Sequence, residues 1–185
     1  KSSLTQSAVE ADIRSQIEIY AENNLQRFGN KFRYSRFVRT LDNAAGGYIL
    51  NNDAKIRMQK RITPDTEAVT SVEVLFNNSI RKSTLASSQF TVNGFTCNLD
   101  DDGSGVVRIF RYTDDNKVVI VDSSAGTIDY TSGRIFLPNF ALTAYADLEL
   151  KITVTPENLD VNPVREQVLL MEPSDAIVNV IGEQT

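Results

Sequence analysis

"FTVNGFTCNL", Phe90 to Leu99, decides the fold. Two short alternating runs meet at Asn93-Gly94, the pair that most strongly marks a tight β-hairpin, because both central residues of such a turn need positive φ. In "FTCNL" the alternation turns Cys97 inward, where it serves as a small apolar filler. One hairpin this distinct sets the period for the sequence around it.

Downstream the same grammar repeats. "DDDGSG" leads into "VVRIFRY", "TDDNK" turns into "VVIVD", and "TSG" separates "TIDY" from "RIFLP". After Pro138 the strand-like runs continue through "LELKITVTP", "QVLLM" and "DAIVNVIG". Upstream, "KIRMQKRI" points Ile56, Met58 and Ile62 to one side and Arg57 and Arg61 to the other. "TSVEVLF" alternates through Val72, Val74 and Phe76, and with "TPDTEAV" between them the two runs predict a hairpin.

The period before Gly46-Gly47 is helical. Val9, Ile13, Ile17, Tyr20, Leu25 and Phe28 form an apolar stripe; Ser7 with Glu10 has capping-box spacing, and Gly29 is a suitable stop. Ser35 is positioned to cap a second, shorter helix that turns Phe37, Val38 and Leu41 inward. The expected fold class is therefore α+β: a helical N-terminal unit (long helix plus short helix) with a following strand over residues 1–62, then a β-rich unit of antiparallel meanders over 63–185.

Composition removes most chemistry. The 185 residues contain no His, one Cys and no Trp. Ser-His-Asp and Cys-His catalysis both need an imidazole base, and zinc sites built on His are excluded with them. A single Cys excludes an internal disulfide and fits a reducing compartment. No apolar run approaches the length of a spanning helix, and "KSSLTQ" has neither a Met nor a signal-peptide core, which is expected of a fragment, a processed chain or a trimmed one.

Three candidate sites are weak. "LDDDGSG", Leu99 to Gly105, has consecutive acids where a calcium loop alternates them, and Arg111 stands where the closing Glu belongs, so a solvated hairpin tip is the simpler reading. No acid pair is flanked by the aromatics of a sugar cleft. "GSGVVR" lacks the Lys-Ser/Thr of a phosphate-binding loop and lies between strands.

Charge is more informative. The net charge is −5, yet residues 27–61 carry +7 while residues 62–185 carry −10. Within "KFRYSRFVR", Lys31, Arg33, Arg36 and Arg39 fall in nine residues, and Lys55, Arg57, Lys60 and Arg61 follow. A solvated surface and a nucleic-acid face are the competing readings, but an acidic remainder opposes a polyanion, and a protein-docking surface is preferred. "NFALTAYADL" adds Phe140, Leu142 and Tyr145 in an irregular stretch after Pro138, either as an exposed apolar contact or as cover for the β core.

Several stretches together carry a resemblance. "KFRYSRFVRTLDNA…YILNNDAKIRMQKRITP", "VEVLFNNSI", "TIDYTSGRI" and "DVNPVREQVL" occur in an order similar to the C-terminal region of the baseplate wedge protein of T-even-type contractile-tailed bacteriophages, a relative of the baseplate J proteins. The resemblance runs from about Val9 to Val180; "TIDYTSGRI" and "DVNPVREQVL" are its most specific parts. It implies a structural, non-enzymatic protein with no cofactor and no catalytic residue to carry over. It also implies association with copies of itself (a homodimer is expected) and with other wedge subunits, in a virion tail baseplate assembled in the host cytoplasm. No nucleic acid, membrane or small-molecule substrate belongs to this expectation. The alternative class is a β-sheet binding module for carbohydrate or another polymer, which 8% aromatics without Trp support poorly.

Overall fold

In the computed structural model, residues 4–47, 49–163 and 168–182 are described. The fold is α+β, with two helices near the N-terminus followed by antiparallel sheets. The chain forms two compact units, one from Lys1–Lys55 with Leu159–Thr185, the other from Ile56–Asn158.

The first unit is built on α1 (Gln6–Asn24) and α2 (Tyr34–Asp42). Thr5, rather than Ser7, caps α1: its hydroxyl accepts from Ala8 N–H at 3.2 Å. Ile17, Tyr20, Ala21 and Leu25 form the buried stripe, but Phe28 lies past the helix and is 75% exposed. Ser35 does not cap α2 either. Arg33 holds that position but its side chain makes no capping bond, and the Tyr34 N–H donates instead to Asp160 Oδ1 at 2.9 Å. The cap comes from a residue 126 positions away.

That partner is present because the chain returns to the helices. Phe32 and Val161 exchange backbone hydrogen bonds of 2.9 and 3.1 Å. Further along, Arg14 donates to the carbonyls of Pro173 and Ala176 at 2.7 and 2.9 Å, and Gln6 donates to that of Val180. The strands expected at "QVLLM" and "DAIVNVIG" are not formed. Gln167 lies outside the described residues, and the described parts of both runs form no ladder, with one 3-10 turn at Pro173–Asp175.

The second unit has ten strands: β1 (Met58–Ile62), β2 (Thr70–Leu75), β3 (Ala86–Ser87), β4 (Phe90–Val92), β5 (Phe95–Asp101), β6 (Val106–Tyr112), β7 (Val118–Asp129), β8 (Arg134–Phe140), β9 (Ala144–Tyr145) and β10 (Leu150–Val154). They form a three-stranded sheet, β1-β10-β3, and a seven-stranded one, β2-β8-β7-β6-β5-β4-β9. The hairpin at Asn93-Gly94 is as expected. Both residues have positive φ, 51° and 79°, and Val92 pairs with Phe95.

The hairpin expected between "KIRMQKRI" and "TSVEVLF" is not made. β1 pairs with β10 and β2 with β8, in different sheets, so sequence neighbours are separated by the competition for longer ladders. "VVIVD" and "TIDY" are one continuous strand, β7. Cys97, Leu99, Ile135, Leu137, Leu150, Ile152 and Val154 are all essentially inaccessible and belong to one core cluster. Burying such side chains contributes roughly 1.5–3 kcal/mol each.

Candidate protein-docking surface

Three aromatic rings organise the basic segment. Tyr20, Phe32 and Phe37 pack with centroid separations of 5.9, 5.1 and 5.5 Å, and all three are buried. Because Phe32, Phe37 and Leu41 face inward, the charged side chains beside them face out, while Tyr34 and Val38 are half-buried. Lys31, Arg33, Arg36 and Arg39 are accordingly all exposed.

The four cations are not equivalent. Arg33 is committed within the unit: its Nη1 lies 2.6 Å from Asp160 Oδ2, and its backbone meets the Tyr20 hydroxyl. Arg36 donates to Asn24 Oδ1 at 3.0 Å, while Asn24 donates to the Tyr20 carbonyl. That fixes the Arg36 guanidinium without neutralising it. Lys31, Arg36 and Arg39, three of the four charges, thus stand without an ion pair among the described residues. Arg57, Lys60 and Arg61 lie instead in the second unit, on or beside β1.

Phe140, Leu142 and Tyr145 are placed differently from an exposed contact. Phe140 is 2% exposed, stacks edge-on against Phe90 at 5.3 Å, and joins Leu142 in the core cluster, with Tyr145 packed partly against it. Pairing of Phe140 with Thr70, and of β9 with β4, turns these residues inward. They cover the β core.

The acidic tip resolves into three separate tasks. Asp100 makes a bidentate pair with Arg108 at 3.0 and 2.7 Å. Asp102 accepts from the Ser104 and Val106 amides and the Ser104 hydroxyl, which holds the turn. Asp101 is the residue the solvated-tip reading missed. It is 5% exposed and accepts from Ser83 N–H, Leu85 N–H and the Tyr130 hydroxyl at 2.7, 2.9 and 2.7 Å. A signal was present: Asp101 is in phase with Cys97 and Leu99, the inward residues of β5. Among the described residues no group of three His, Cys, Asp or Glu is placed to hold a metal ion, and no helix is long and apolar enough to cross a membrane.

Comparison with known proteins bears on the part of the molecule that carries the basic surface. Residues 1–61 match the family described as baseplate structural protein gp6, C-terminal domain III. The match takes in α1, α2 and all of β1 except Ile62, and it agrees with the resemblance to a baseplate wedge protein of contractile-tailed phages. It supports a structural role in a virion tail baseplate. No curated protein matches the chain.

Several surface carboxyls are held below their ordinary values. Asp160 is lowered first by the Arg33 guanidinium and then by Tyr34 N–H, and Asp129 by the Ser132 hydroxyl. Asp102 is lowered to about 2, the Ser104 hydroxyl being the largest cause. A carboxyl depressed in the folded state adds stability that is complete above its unfolded value and is lost as pH falls through the folded one. The thermal midpoint should thus be level from neutral pH to roughly 5 and decline steadily below it. Calorimetry across that range checks this; a midpoint still level near pH 3 would contradict it.

Proposed function

We propose that the chain is a structural subunit fragment of a contractile-tail baseplate wedge, acting through contacts with copies of itself and with other wedge subunits and performing no catalysis. The observation that carries this reading is the family match over residues 1–61, within which Lys31, Arg36 and Arg39 stand exposed without an ion pair. Such charges select partner and register more than they supply affinity. The partner surface is acidic, and no nucleic acid, membrane, cofactor or small molecule is part of the reading.

Reversing Arg36 and Arg39 to Glu tests it. Neither side chain is buried, so the fold should survive with an unchanged circular dichroism spectrum. Sedimentation of the whole chain at low salt should show association weakened by about tenfold, the order expected when two contacting charges are inverted. Association equal to that of the unaltered chain would sink the proposal.

A further inference from the structure

The β6–β7 hairpin is the most conspicuous feature that the fold does not account for. β6 pairs with β5 only as far as Phe110, and β8 pairs with β7 only over Thr127–Asp129. Within the described sheets, the segment of β7 from Val118 to Asp122 therefore has one neighbour, β6, and one open edge. Its side chains do not alternate in burial. Val118, Val119, Ile120 and Val121 are 55, 38, 41 and 36% exposed, and Tyr112, paired opposite Val118, is 55% exposed. Both faces of this ribbon thus carry exposed apolar side chains, one of them with Arg111 beside Val119, and one edge is open.

An edge of this kind is a template for another chain, and natural sheets usually block one with charge, Pro or a covering segment. Here the four β-branched residues run without interruption. On β7 and the tip, charge appears only at the ends: Asp114 and Asp115 at the tip, Lys117 beside them and Asp122 at the base. Across the ladder, Arg111 on β6 pairs opposite Val119 and lies over the Phe95 ring at 4.5 Å. The tip and outer β7, residues 113–122, carry a net charge of −2, and Arg111 on β6 brings the ribbon over residues 111–122 to −1. Neither tip carboxylate has an ion pair among the described residues.

The first unit carries the converse pattern. Its exposed cations, Lys31, Arg36 and Arg39, follow closely on Phe28, which projects from the connection between α1 and α2. An apolar ribbon with an acidic tip and a basic surface bearing an exposed aromatic are complementary in both respects. We infer that the β6–β7 ribbon of one copy docks on the basic α2 surface of a second copy of this chain, Asp114 and Asp115 facing Arg36 and Arg39 while Val118–Val121 cover the apolar part. This rests on the reading of α2 as a docking surface and supplies the acidic partner that reading requires. Made reciprocally across a two-fold, the contact closes a homodimer; made once per pair, it is heterologous and builds rings or open arrays.

Charge exchange tests the inference on the whole chain. Asp114→Lys with Asp115→Lys should weaken self-association at low salt by about tenfold, the same loss expected of Arg36→Glu with Arg39→Glu. Combining all four reversals should restore association to near the original value. Ile120→Lys, at an exposed position, should weaken it at high salt as well. If the arginine reversals weaken association but the aspartate reversals do not, and the fourfold variant shows no rescue, α2 docks elsewhere and the ribbon inference is overturned. If neither pair matters, both readings fall. A chain monomeric at every concentration and salt also overturns the ribbon contact.

Discussion

Replacing Asp101 by Ala is expected to destabilise the second unit by about 4 kcal/mol, a large share of a domain's total stability. The carboxylate is the common acceptor for two backbone amides and a phenol that come from different parts of the chain: Ser83 and Leu85 before β3, and Tyr130 after β7. Truncation removes all three bonds at once. It leaves the buried Leu85 N–H without an acceptor, and the desolvation cost of such a group is not recovered elsewhere. The Tyr130 hydroxyl is affected too, since burial first and this bond second raise its pKa. Asp101→Asn keeps the shape and one carbonyl oxygen, so it should lose about half as much. Urea unfolding of the two variants gives the comparison, and a loss under about 1 kcal/mol for Ala would show that water replaces the carboxylate.

Gly126→Ala is expected to cost about 3 kcal/mol through the opposite mechanism, overpacking. Gly126 lies on β7 opposite Val107, one residue before the ladder with β8 begins at Thr127 and Phe136. A Cβ there would collide with the Phe136 carbonyl oxygen and stand 2.7 Å from Leu137 Cδ2. The carbonyl belongs to the neighbouring backbone and cannot rotate aside, so β8 would have to move from β7. Leu137 is fully buried, which leaves no room for that movement to relax. Amide exchange should accelerate first along β7–β8, while the Asn93-Gly94 hairpin keeps its protection. Unchanged exchange along β8 would refute the clash.

These two sites differ in how legible they were. A lone Gly within a strand-like run signals close backbone approach, so Gly126 has a sequence marker, although "SSAGTIDY" does not say which backbone approaches. Asp101 is in phase with its inward neighbours, but three consecutive acids before Gly-Ser-Gly resemble a solvated tip more than a core position. The pattern of charge obscured the pattern of burial.

By itself the sequence determined whatever depends on a few adjacent residues: two N-terminal helices, the alternation of the strands, the turn at Asn93-Gly94 and the outward direction of Lys31, Arg33, Arg36 and Arg39. Helical and extended periods are local properties, and positive φ at a turn is a property of one or two residues. Only the tertiary structure decided what depends on distant partners. It sent β1 to β10 instead of to β2, turned Phe140 and Leu142 into the core, and brought Asp160 back to cap α2 and to neutralise Arg33. Each of these choices is a competition among many possible pairings of similar local quality. The outcome is set by the total area buried and the hydrogen bonds satisfied across the whole unit, which no short stretch of sequence contains.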